Sequence, residues 1–256
     1  MSLTDSTLPP SSFPQVLPSS IAAGVQAPEG TLSVVIPTLN ARARLPGCLG
    51  ALRAARAASL VDQVIVADGG SSDGTPEIAR GFGAIVVAAP TGRGPQLAAG
   101  AKAASGDWLL FLHADTKLAE GWERVLAEHL ARPDAAAMAA AFQLAFDEVS
   151  DGAARVARLA NWRARRLGLP YGDQGLLIAR SLYDGVGGYR ELALMEDVDL
   201  VRRLGRHRLQ VLQATAVTSA ARYQREGWWR RPARNLSVLA LYLLGVPPRF
   251  LRRLYG

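Results

Sequence analysis

Four carboxylates in this 256-residue chain stand where an apolar run meets polar residues: Asp68, Asp115 and the neighbours Glu196 and Asp197. Residues 107–116, DWLLFLHADT, run apolar and then end in His113, Ala114 and Asp115. Such a run reads as a strand buried on both faces, with its last residues at the crevice where open α/β sheets bind ligands. A carboxylate there can hold a divalent cation that bridges two phosphates, since such a cation takes oxygen ligands and keeps positions open. It can equally cap the next turn. Asp68 ends a second run and opens 68–74, DGGSSDG, whose residues favour tight turns; on turn chemistry alone this is a connector. Its place adds to it, because the loops after the first two strands offer polar groups on one edge. Glu196 and Asp197 open a helix, where carboxylates stabilise the first turn through the helix dipole, and spacing alone does not separate that role from catalysis. Arg93, among glycines at a helix start, suits an anionic ligand or is a solvated loop arginine.

The elements that position these groups follow from the pattern. Residues 1–30 carry Ser, Thr and Pro without apolar periodicity and read as a disordered leader, lacking the basic start and apolar core of a secretion signal. Residues 32–40 read as a buried strand stopped by Pro37, followed by a helix over 44–59 and a second strand, a βαβ unit with parallel strands. The first loop is not GxGxxG, which argues against a dinucleotide-dependent dehydrogenase. A helix at 75–81, a short strand, a helix to about 104 and the strand of 107–116 come next. The pattern then predicts a helix over 119–131, a strand in 135–146, an amphipathic helix over 151–167, a loop with a short strand, and the helix opened by Glu196.

Composition bounds the rest. Hydrophobic residues at 49% and charged residues at 20% are those of a globular protein, neither a disordered chain nor a multi-span membrane protein. We expect one α/β domain over 31–220, with a tail of basic amphipathic helices over 221–256. The single cysteine, Cys48, excludes an intramolecular disulfide and fits a cytoplasmic location. Three scattered histidines show no HExxH spacing, which argues against a zinc hydrolase. The net charge of +7 resides in residues 222–256, which hold eight Arg and one Glu. Tryptophans, a leucine-rich run and arginines together fit anionic lipid better than nucleic acid, so no nucleic-acid partner is expected. The apolar run at 235–246 is too short to span a bilayer, which takes roughly 20 residues. It either lies on the inner membrane face or packs over the domain.

Four segments, VVIPTLN at 34–40, VIVADGGSSDGT at 64–75, GDWLLFLHADT at 106–116 and GVGGYRELALMEDVDLVRRL at 185–204, together resemble the family 2 glycosyltransferases. These are inverting enzymes of the GT-A fold, a mostly parallel sheet flanked by helices, that use a nucleotide-diphospho-sugar. The wording FLHADT is most similar to a subgroup of small bacterial members. The resemblance implies a nucleotide pocket lined by Pro37, Thr38 and Asn40, with Asp68 bonding the base, a uracil by preference, and Asp73 and Arg93 completing the nucleoside side. It puts His113-Ala114-Asp115 on the Asp-x-Asp metal motif, so Asp115 would bind Mg²⁺ or Mn²⁺. His113 departs from the motif: an imidazole still reaches ribose or metal, but a hard cation binds it less well than a second carboxylate. The catalytic base would be Asp197, with Glu196 as the second choice. Asp173 and Gln174 would face sugar or acceptor, and Arg222 the diphosphate. A tail that touches lipid would suit a lipid-linked acceptor. Two other readings compete: a sugar-phosphate nucleotidyltransferase, whose basic glycine-rich signature is missing after the first strand, and a membrane-surface scaffold with a degenerate site.

Overall fold

Leu32–Thr38 forms β1, buried along its whole length, and the first half of the chain is built around it. The structure, a computed structural model, describes residues 30–255; the leader expected over 1–30 lies, apart from Gly30, outside the described residues. After β1 come α1 (Leu45–Ala51), α2 (Arg53–Ala57), β2 (Gln63–Asp68), α3 (Thr75–Gly81), β3 (Ile85–Ala88), α4 (Arg93–Ala103) and β4 (Trp108–Phe111). The strands lie side by side as β3-β2-β1-β4, all parallel. Two expectations change here. Pro37 does not stop β1, which continues to Thr38 with Pro37 opposite Ala67. Val35 O accepts from Leu112 N on the β4 side, so Pro37, two residues on, turns its nitrogen to the same side, where pairing with β4 has ended at Val35 and Phe111. No ladder bond is lost. The single helix expected over 44–59 breaks at Leu52, and Gly47 and Gly50 weaken its first half.

The second half mixes directions. β5 (Thr116–Leu118), α5 (Trp122–Leu130), β6 (Ala139–Phe146), α6 (Asp151–Leu167), β7 (Leu176–Ala179), α7 (Arg180–Gly185), α8 (Glu196–Leu204) and β8 (Leu209–Thr218) extend the sheet to the order β3-β2-β1-β4-β7-β6-β8-β5. β7 runs antiparallel to both β4 and β6, β8 is parallel to β6, and β5 antiparallel to β8. β5 and β8 were not expected; β5 ends just before the helix predicted over 119–131, which begins only at Trp122 after Gly121 turns the chain at φ 83°.

Alternation along β1 divides the core between the two faces of the sheet. Val34 and Ile36 pack with Leu52, Trp122, Leu126 and Phe142 beneath α1 and α5. Val35 packs with Ile65, Leu97, Phe111, Tyr189 and Leu200 beneath α4 and α8. α4 crosses β1 so closely that a Cβ on Gly100 would lie 2.4 Å from Val35 Cγ1. The tail forms α9 (Ala221–Glu226), α10 (Arg230–Leu243) and α11 (Pro248–Tyr255). Val238, Leu239 and Leu251 bury against Leu194, Met195 and Val198, so the tail shares a core with the start of α8. Among the described residues no helix is long and apolar enough to cross a membrane.

Candidate active site

The carboxyl ends of β1 and β2 are in register, Thr38 beside Asp68, which sets a hydroxyl against a carboxylate. Thr38 Oγ1 donates to Asp68 Oδ1 at 2.8 Å, and Ser71 Oγ donates to the same oxygen at 2.6 Å. The N–H groups of Gly70 and Ser71 donate to Oδ2. Burial pushes the Asp68 carboxyl up, but these bonds outweigh it and hold the group below its usual 3.8. Asn40, at φ 50° in the left-handed region asparagine tolerates, donates its N–H to Ser71 Oγ and accepts at Oδ1 from Ser72 N. Asp73 accepts from Arg42 N, Thr75 N and Thr75 Oγ1. Five of the six residues assigned to the nucleoside side, Pro37, Thr38, Asn40, Asp68 and Asp73, thus belong to one stitched double loop; the sixth, Arg93, stands apart from it, lining the neighbouring cavity and pairing with Glu196. Gln96 of α4 locks the double loop from behind by donating to the carbonyls of Thr38 and Ala67.

Beside this double loop lies a cavity lined by Arg93, His113, Asp115, Asp173, Asp197 and Arg222, with Arg231 and Asn235 from α10. His113 follows β4 and lies against Gly172, where a Cβ would come 2.4 Å from His113 Nε2. Burial first, then the positive charge of Arg93 and Arg222, lowers the imidazole to about 4 against the opposing pull of Asp115 and Asp197. At neutral pH the ring is uncharged and keeps a nitrogen lone pair. Asp115 hangs from the turn closed by Thr116 N on His113 O, and its Oδ2 lies 3.7 Å from Arg44 Nη1.

The turn at Gly172–Gln174 separates two residues that were expected to act together. Asp173 lines the cavity; its Oδ1 is buried without a hydrogen-bond partner among the described residues. Burial pushes its carboxyl up to about 6 against the pull of Arg163, with Asp197 and Asp115 adding to the rise. Gln174 does not reach the cavity. Its side chain is fully buried, donates to Phe142 O at 3.1 Å and accepts from Tyr171 N, so it fixes the turn to β6. Adjacent residues of a tight turn project to different sides, which explains the split.

Glu196 and Asp197 open α8 behind Met195, which holds φ 66°. A left-handed methionine costs on the order of 1–3 kcal/mol. Here it is clamped among Leu194, Val198, Val238, Leu239 and Leu251. Glu196 is 2% exposed and its Oε1 lies 2.9 Å from Arg93 Nε. Burial raises the Glu196 carboxyl, Arg93 opposes the rise and Asp197 adds to it. Asp197 accepts from Gly172 N at Oδ2 and from Val198 N at Oδ1, both at 2.8 Å. A smaller recess shares His113, Gly172 and Asp197 with the cavity and adds Glu196. Sequence reasoning missed Met195, Arg231 and Asn235. The tail pair carried no signal beyond its place in a basic segment, and no residue type announces a left-handed methionine. Three carboxylates facing two or more guanidinium groups can bind an anion and a cation side by side and take up a proton.

Comparison with known proteins agrees with this architecture. The curated relatives matched include the PGL/p-HBAD biosynthesis glycosyltransferases of Mycobacterium bovis and Mycobacterium tuberculosis, 38% identical over 95 residues. That match spans 34% of this chain and only 36% of theirs. Among solved structures, glucosyl-3-phosphoglycerate synthase from Mycobacterium tuberculosis, in complex with Mn²⁺, UDP-glucose and phosphoglyceric acid, superposes with a TM-score of 0.55 at 22% identity, over 75% of this chain and 71% of that one. Mannosyl-3-phosphoglycerate synthase from Rubrobacter xylanophilus gives 0.52 at 21% identity, over 74% of this chain and 66% of that one. At such identities the likeness establishes the fold, the GT-A fold of these enzymes. The family described as Glycosyl transferase family 2 matches residues 33–188, from β1 through the double loop and the His113 turn to the approach of α8. That match covers more than half of the chain, and the chain therefore belongs to glycosyltransferase family 2.

Proposed function

We propose that the protein transfers a sugar, with inversion, from a nucleotide-diphospho-sugar, in the first instance a UDP-sugar, to an acceptor hydroxyl. The observation that supports this reading is the convergence of Asp115, Asp173 and Asp197 with Arg93 and Arg222 on one cavity at the carboxyl edge of the sheet. Arg222 and Arg93 bind the diphosphate, whose charge suits guanidinium groups. The double loop takes the nucleoside. All four acceptor positions of Asp68 are engaged, so a base N–H that reaches it displaces one donor, most simply the rotatable Ser71 hydroxyl.

The donor set also fits a divalent cation of the Mg²⁺ or Mn²⁺ kind. Among the described residues no three His, Cys, Asp or Glu side chains converge closely enough to hold a metal alone. Asp115 together with diphosphate oxygens and water is the manner in which Mg²⁺ is usually held. When bound, such a cation neutralises charge growing on the departing diphosphate.

Asp197 takes the proton of the acceptor hydroxyl as its oxygen attacks the anomeric carbon from the face opposite the diphosphate. The new C–O bond forms as the bond to the diphosphate breaks. Each Asp197 oxygen accepts one N–H bond and retains capacity for another, whereas Glu196 is buried and paired with Arg93. General-base help of this kind is worth on the order of 10²- to 10⁴-fold. We place the chain in the small bacterial FLHADT subgroup, in the cytoplasm, with an acceptor carried by lipid at the inner membrane face.

The test is the product. Incubation with nucleotide-sugars should release nucleoside diphosphate. Pyrophosphate formed from a nucleoside triphosphate and a sugar phosphate would replace this reading with a nucleotidyltransferase, and absence of nucleotide binding in the presence of Mn²⁺ would leave only the scaffold.

A further inference from the structure

The two faces of the C-terminal hairpin differ in what they meet. On the inner face of α10, Arg231 and Asn235 line the cavity, while Val238 and Leu239 bury against the start of α8. On its outer face Ala233, Leu236, Ala240, Leu243 and Leu244 are exposed, Leu236 to 63% and Leu244 to 81%. Their spacing of three and four residues puts them on one stripe of the helix. In α11, Phe250 and Leu254, four apart, are also exposed, while Leu251 is buried. Large side chains exposed in a row of this kind mark an interaction surface.

Charge selects among occupants. Arg230, Arg249, Arg252 and Arg253 are exposed around the stripe, and residues 227–256 contain no Asp or Glu. A second copy of the chain would bring the same arginines and be repelled. Nucleic acid would use the charge but leave the leucines in water. An anionic bilayer satisfies both, with the leucines and phenylalanine among the acyl chains and the arginines at the headgroups. The helices are too short to cross, so they lie in the plane of the interface.

We propose that the outer face of the α10–α11 hairpin docks on an anionic lipid surface, so that the cavity on its inner face opens beside that surface. The consequence that the acceptor is drawn from the bilayer rests on the transfer reading; the docking does not.

The test is co-sedimentation of the full chain with vesicles of phosphatidylcholine alone and of phosphatidylcholine mixed with phosphatidylglycerol. Binding is expected only to the mixed vesicles and should weaken with added salt. At about fivefold in affinity per arginine near the surface, the triple variant Arg249→Gln, Arg252→Gln, Arg253→Gln should bind roughly 100-fold more weakly. The triple variant Leu236→Gln, Leu243→Gln, Leu244→Gln should also lose binding while keeping its circular dichroism and its affinity for nucleotide. Failure of the unaltered protein to bind mixed vesicles overturns the proposal, as does binding that both variants retain. A dimer in light scattering that the leucine variant converts to monomer overturns it in favour of a second copy. Vesicle binding with no nucleotide-sugar turnover would refute the transfer reading and leave the docking standing.

Discussion

Replacing Arg93 by methionine removes one partner of the buried Glu196 pair and leaves an uncompensated carboxylate at a position 2% exposed. Breaking a fully buried pair costs about 3–5 kcal/mol. Arg93 is 37% exposed, so water already screens its side of the pair, and the expected loss falls to about 2–3 kcal/mol. That is a large part of a stability of about 5–15 kcal/mol. The loss must also depend on pH with a definite sign. Glu196 is raised above its usual 4.5, so the folded protein binds more protons than the unfolded chain over the interval that begins there, and stability falls as pH rises through it. Without Arg93, which opposes that rise, the interval extends upward and the fall deepens. Urea denaturation across pH should therefore show little difference between variant and parent near the bottom of the interval and the full loss well above it. Adding Glu196→Gln to the variant removes the buried charge and should bring the double variant to within about 1 kcal/mol of Glu196→Gln alone. A deficit that is the same at all pH values, or single losses that simply add, would refute the argument.

Gly172→Ala drives a methyl group to 2.4 Å from His113 Nε2 and disturbs the Gly172 N–H bond to Asp197, so turnover should fall about 100-fold, measured as nucleoside diphosphate release. Gly94→Ala sets a Cβ 2.6 Å from Arg190 O and 2.8 Å from Leu192 O; backbone cannot give way as a side chain can, and a loss of about 1–3 kcal/mol or more is expected in urea. Asp68 lies below its usual 3.8, so its hydrogen bonds stabilise the fold above that value and the gain is lost as pH falls through the folded value. Asp68→Asn should cost about 1–3 kcal/mol at neutral pH and flatten the acid side of the stability profile; an unchanged acid slope would count against it.

The parts legible in the sequence are those whose signal is local. The apolar runs that became β1, β2 and β4 each end in a polar group, and strand alternation delivers Thr38, Asp68 and the His113 turn to one edge. β5 is only three residues, TKL, too short for any period, and it depends on pairing with β8. β8 does alternate, with Leu212, Ala214, Ala216 and Thr218 inward, but alanine beside threonine and glutamine gives little contrast. Pro37 was misread because tolerance of a missing N–H depends on where the neighbouring strand stops. Gln174 was misread because adjacency in sequence does not fix which way a turn aims each side chain. Asn235 reaches the cavity from 38 residues beyond Asp197 through packing of the tail on α8, a long-range contact that no local pattern encodes.

Nucleoside diphosphate release from a panel of nucleotide-sugars, with Mn²⁺, with Mg²⁺ and with EDTA, beside the Asp115→Ala variant, tests the central claim most directly. The account predicts release from one donor that requires the metal and is lost in the variant. Release that is indifferent to EDTA and survives Asp115→Ala would contradict the metal role assigned to this carboxylate, and no release from any donor together with no nucleotide binding by calorimetry would contradict sugar transfer itself.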